Sequence, residues 1–245
     1  MNKRHTKIYV KVTPEKNEIV YSGINFSEFI KGLHQPIENI LTITGGSNFI
    51  LIDTKSERGL ELFEGEKQVQ KLTEKDISNR GNFCFVDFSS EGKTKELAEE
   101  QIAELLYFGH MFKPLCSPFF EILHNRFAYL SHDDGWYCKL FCKNLEDFAP
   151  ILCGKIVASI DRTLYPPTDN IGKELLLLAT AGILIDLDEL SHEKEKICLN
   201  IYIIGECQSI DTIFNGLEET KKNAPKIYSL RGTKNDWGIY ECALR

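Results

Sequence analysis

The sequence predicts an α+β fold, with mainly antiparallel sheets and helices packed on one face. Three features point to it. Asp134-Gly135 lies between two alternating runs, 127–132 and 137–142, and a type I′ turn needs positive φ at both central residues, which this dipeptide tolerates. Other short apolar runs are separated by Gly, Pro and Asn clusters, as strands joined by tight turns are. Amphipathic helical stretches interrupt these runs without the regular strand-helix alternation of a parallel sheet.

Taken in order, Lys7 to Thr13 and Glu18 to Ser22 alternate around Pro14-Glu15-Lys16-Asn17 and predict a hairpin. Phe26, Phe29, Ile30 and Leu33 have helical spacing, with Asn25 or Ser27 placed to cap the helix. Short strands are expected at 40–44 and 49–53, joined by Gly45-Gly46-Ser47-Asn48, with weaker ones at 60–63 and 68–72 and a stronger one at 83–88. The longest helix is expected from Lys95 to Phe112, with Ile102 and Leu105 on its apolar face and Glu99 and Glu100 nearer the other. Beyond Pro114 and Pro118 come a strand at 120–123 and the Asp134-Gly135 hairpin, whose register sets Phe127 opposite Cys142, Tyr129 opposite Leu140 and Ser131 opposite Cys138. A helix starts near Leu145, and 165–170 reads as a loop. Leu175 to Leu187 reads equally as two strands or one buried helix. A strand at 198–204, a helix carrying Ile210, Ile213, Phe214 and Leu217, and strands at 227–230 and 237–243 complete the chain.

The Pro-flanked stretch 113–118 divides the sequence into expected halves at 1–113 and 119–245. Their element orders suggest a weak internal duplication. Asn25-Phe26-Ser27-Glu28-Phe29 parallels Asn144-Leu145-Glu146-Asp147-Phe148, and 48–53 parallels 182–186, which would make 175–187 a strand pair. Two such halves would offer a pseudo-twofold cleft to a ligand or partner.

A net charge of -7, with acidic residues outnumbering basic ones on both sides of Lys113, argues against nucleic acid or an anionic membrane as partner. The longest apolar run, Leu175 to Ile185, falls short of the roughly 20 residues of a membrane helix. No apolar segment follows the charged N-terminal residues as it would in an export signal. Eight cysteines without a regular framework or a Cys-x-x-Cys pair read as free thiols, so the expected location is cytoplasmic, without a disulfide scaffold, a metal centre or another cofactor.

Ser89-Ser90-Glu91-Gly92-Lys93-Thr94 stands where a phosphate loop would, between a strand and a helix, with Gly92, Lys93 and Thr94 as its nucleotide-facing residues. The position of the motif's first glycine is Asp87, and Glu91 lies inside the loop, so both would repel phosphate. His132, Asp133 and Asp134, with His124 nearby, offer acid-base or metal chemistry, yet strand alternation turns His132 and Asp133 to opposite faces. Cys138 and Cys142, about 13 Å apart along a strand, read as core residues; Cys116, not far in sequence from His110 and His124, is the remaining nucleophile candidate.

The hairpin's aromatic residues are more telling. Trp136, Tyr137 and Tyr129 beside the acidic turn supply contact area with a polar handle at small cost in side-chain entropy. The expected function is a non-catalytic binding or regulatory protein that takes a protein or small-molecule ligand through Trp136, Tyr137, His132, Asp133, Asp134 and Tyr129 or through the cleft, with no catalytic residues assigned. The alternative is a small hydrolase or transferase using His124, His132, Asp133 and Asp134.

Overall fold

A computed structural model describes residues 6–43, 55–57, 59–74, 83–132, 137–160, 169–193, 196–207, 210–233 and 237–242. The chain opens with β1 (Lys7–Thr13) and β2 (Glu18–Ser22), joined through a 3-10 turn at Pro14–Lys16 and Asn17 at φ 51°. Proline presets the first turn angle and asparagine tolerates the left-handed one. α1 (Phe26–Gly32) follows. Asn25 caps it reciprocally: its side chain accepts the Glu28 amide at 2.8 Å, and the Glu28 carboxylate accepts the Asn25 amide at 2.9 Å. Asn25→Ala is expected to lower the unfolding free energy by about 1 kcal/mol in urea titration; an unchanged midpoint would show that the box adds nothing.

Next come β3 (Asn39–Ile43), β4 (Lys55–Glu57), β5 (Leu60–Glu64), α2 (Glu66–Glu74), β6 (Phe83–Phe88) and α3 (Glu99–Met111). α2 replaces the strand expected at 68–72. Its buried residues, Val69 and Leu72, are three apart among Glu, Lys and Gln residues that favour helix. α3 starts later than Lys95 because Thr94–Glu96 forms a separate 3-10 turn. The strand expected at 49–53 lies outside the described residues.

β7 (Phe127–His132) and β8 (Tyr137–Cys142) form the expected hairpin, and its register is the predicted one: Phe127 pairs with Cys142, Tyr129 with Leu140 and Ser131 with Cys138. The strand expected at 120–123 is instead a 3-10 turn, Glu121–Leu123. Buried Asn125 explains it: its side chain accepts the Phe120 amide and donates to the carbonyls of Pro118 and Phe127, so the chain curls around it.

α4 (Ala149–Ala158), α5 (Asp169–Ala179), β9 (Ile183–Asp186), β10 (Ser191–Glu193), β11 (Lys196–Ile203), α6 (Ile210–Asn215), α7 (Leu217–Lys222), β12 (Lys226–Gly232) and β13 (Trp237–Glu241) complete the described elements. Residues 175–187 are thus a helix and a strand. Gly182 separates them at φ 77°, and a Cβ there would lie 2.0 Å from the Gly205 carbonyl oxygen. The strand pair that the proposed duplication needs does not form.

By compactness the chain divides into one unit of residues 1–34 and 145–245 and another of 35–144. The Pro-rich 113–118 stretch lies inside the second unit, away from either change of unit. Within that unit the strand order is β8-β7-β6-β3-β5-β4, with every described pairing antiparallel. Leu41, Val86, Leu130 and Phe141 form one face of its core, against Leu105 and Phe108 of α3. In the other unit the order is β13-β12-β11-β9-β1-β2, also antiparallel, with β10 on β11. Every residue of β6 and of β9 is buried, so both faces of these central strands are covered. That accounts for their apolar runs at 83–86 and 183–185. β6 pairs with β3 and with the hairpin strand β7, and β11 lies between β9 and β12.

Candidate functional site

The β7–β8 hairpin is held at its base by two buried polar side chains. Asn125 is one. The other is Asp87 on β6, whose Oδ1 accepts the Arg126 amide at 2.9 Å and the Phe127 amide at 2.6 Å. Burial raises the Asp87 carboxyl to about 6, against the lowering pull of the Phe127 amide and of the Arg126 charge and hydrogen bonds. Arg126 Nε lies 3.6 Å from Asp87 Oδ2, and its guanidinium also donates to the Gln35 and Pro36 carbonyls and to Gln35 Oε1. A single carboxylate thus ties β6 to the start of β7, and its arginine extends the tie to residues 35 and 36. The first glycine of a phosphate loop would have stood at this position; the aspartate serves the hairpin instead.

At the far end, the ladder sets His132 opposite Tyr137, two of the expected binding positions, and Tyr137 is half-buried. Asp133, Asp134 and Trp136 lie outside the described residues. Tyr129 is fully buried: its ring stacks on Phe85 at 4.9 Å, and its hydroxyl lies 3.3 Å from Cys138 Sγ. It packs the hairpin into the sheet, as do buried Cys138 and Cys142. His124 is exposed, in a left-handed turn at φ 50°, and His110 and Cys116 are exposed as well.

The 89–94 loop is closed to phosphate. The Ser89 amide donates to Leu123 O, the Gly92 amide to Ser89 O and the Lys93 amide to Ile122 O. Ser90 donates to the Glu38 carboxylate at 2.7 Å, and Lys93 Nζ pairs with Glu96 at 3.1 Å. An anion would find these four amides occupied, one of them by another anion, and the long helix begins only at Glu99.

The other unit holds a denser ionic cluster at the end of β9. Asp186, 2% exposed, receives both Lys7 and Lys221; the Lys221 ammonium lies 2.5 Å from it, 2.7 Å from Glu189 and 2.9 Å from Glu218. Lys7 also reaches Asp188 at 2.8 Å, and the Tyr202 hydroxyl donates to Glu189 at 2.7 Å. Burial works to lower the Lys221 pKa, but its bonds to the three carboxylates and the Asp186 charge outweigh it and hold the ammonium charged beyond the usual lysine range. Tyr202 is pushed up to about 12 by burial and by its bond to Glu189. A lysine held this firmly as a cation is a structural counter-ion, the opposite of a lysine prepared as nucleophile or base. In the sequence Asp186 is only the end of an apolar run, and its lysines lie 179 and 35 residues away, beyond any motif. Among the described residues no group of three or more His, Cys, Asp or Glu side chains is arranged to hold a metal ion, and no helix is long and apolar enough to cross a membrane. No family model, curated protein or solved structure matches the chain.

Proposed function

We propose that this is a soluble cytoplasmic binding protein without catalytic activity of its own, which presents the tip of the β7–β8 hairpin to a protein partner. The observation that carries the reading is the anchored base. A buried carboxylate is costly to keep, and here Asp87 is spent on fixing two backbone amides where β7 begins, while Asn125 fixes the turn just before it. The clamp fixes where β7 begins, and the sequence places the aromatic Trp136 and Tyr137 next to the acidic Asp133 and Asp134 in and beside the segment that joins β7 to β8, a composition suited to contact with a partner. The cytoplasmic part is supported by the cysteines, all eight of which are free thiols, as a reducing compartment keeps them.

Trp136→Ala tests the reading. With the full-length protein as bait, the variant is expected to lose a captured partner that the natural protein retains, while its melting temperature falls by no more than about 2 °C. A fall of about 6 °C or more, the equivalent of roughly 2–3 kcal/mol for a chain of this size, would make Trp136 a core residue and overturn the proposal.

A further inference from the structure

We propose that the outer edge of β13 takes an extended peptide segment of another protein as an additional antiparallel strand, an interaction surface separate from the hairpin tip. Among the described residues β13 is the last strand of its sheet, and all five of its residues pair with β12. The Cys242 amide donates to the Ile227 carbonyl at 2.8 Å, which sets the phase of the ladder. Tyr240 and Gly238, in phase with Cys242, turn their backbone groups toward β12; Ile239 and Glu241 turn their N–H and C=O away from it. That outward row of alternating donors and acceptors is complementary to an extended backbone.

Natural sheets guard such edges with very short strands, lysine, proline or bulges. In the unit of residues 35–144 the end strand β4 is guarded in this way, with three residues. β13 has five, Trp-Gly-Ile-Tyr-Glu, without lysine or proline. The side chains that could screen its edge are directed back over the ladder. Tyr240 lies along Gly238, where a Cβ would meet its hydroxyl at 2.7 Å, and under the Arg231 guanidinium at 5.2 Å. Glu241 pairs with Lys226 of β12 at 3.5 Å. α5 packs against β13. Five residues of edge bury far less than the about 800 Å² per partner of a stable folded dimer, which favours a linear segment over a second copy of this chain.

The probe is a fluorescein-labelled peptide with the sequence of β12, Lys226–Gly232, titrated with the full-length protein and followed by anisotropy. Saturable binding with a dissociation constant below about 1 mM is expected. Ile239→Pro should weaken it at least tenfold without lowering the melting temperature, because the lost N–H points away from β12. Should that variant unfold, peptides N-methylated at one or the other alternate set of residues replace it: one set must abolish binding and the other retain it. No anisotropy change at millimolar protein, or equal binding by a folded Ile239→Pro variant, overturns the proposal. So does a sedimenting dimer that Ile239→Pro converts to monomer, which would give the edge to a second copy.

Discussion

Lys221→Met is expected to destabilise the protein by about 3–5 kcal/mol, the cost of removing one partner from a buried ion pair and leaving the other charge behind. The size follows from what remains. Asp186 keeps Lys7, but Glu189 loses its ammonium, and three carboxylates that one cation had separated then repel one another. Glu218 contributes little to this, because its side chain is largely exposed and its pairing is screened by water. For a chain of this length the loss corresponds to a fall in melting temperature of roughly 6–20 °C. Urea titration separates this cluster from a surface network: a loss under about 1 kcal/mol would mean that water reaches Lys221. The raised pKa of Lys221 adds a sign. Its contribution is complete below the unfolded lysine value of about 10.4 and is lost only as pH rises through the still higher folded value, so alkali, not mild acid, should dissolve it.

Local signals in the sequence specify structure where the chain itself enforces them. The alternating flanks of Asp134-Gly135 predict the β7–β8 register residue by residue, and of the two cap candidates, Asn25 and Ser27, it is Asn25 that starts the helix, because turn and cap chemistry act within four residues. Local signals mislead where distant partners decide. Phe120 to Leu123 looks extended, but the Asn125 side chain curls it; Leu175 to Leu187 is split by Gly182, whose need for glycine comes from the Gly205 carbonyl. β6 and β9 defeat any inside-outside pattern because both their faces are covered. The ionic cluster was hidden for the same reason, since Lys7, Asp186 and Lys221 meet only through the β1–β9 pairing and α7. By composition Tyr129 belongs to a recognition surface, but its register partner Leu140 and its stacking on Phe85 make it core.

Stability should increase as pH falls from about 6 to about 4, through Asp87. Its carboxyl titrates near 6 in the folded protein against an ordinary value of 3.8, so the folded state binds the proton more tightly than the unfolded chain does. The resulting stabilisation is complete below 3.8, is lost as pH rises through about 6, and amounts to about 3 kcal/mol for a difference of roughly two pH units. Most surface carboxylates pull the other way, so the effect is isolated by subtracting the pH profile of Asp87→Asn from that of the natural protein. Asparagine keeps an oxygen for the Arg126 and Phe127 amides and should be tolerated at pH 7 to within about 1 kcal/mol, whereas Asp87→Ala would orphan both amides at about 1–3 kcal/mol each. A difference profile that is flat between pH 4 and pH 7 would mean that Arg126 holds the carboxylate ionised throughout. In that case the hairpin base would be clamped by a permanent ion pair, and its hold on β7 would not change across that range.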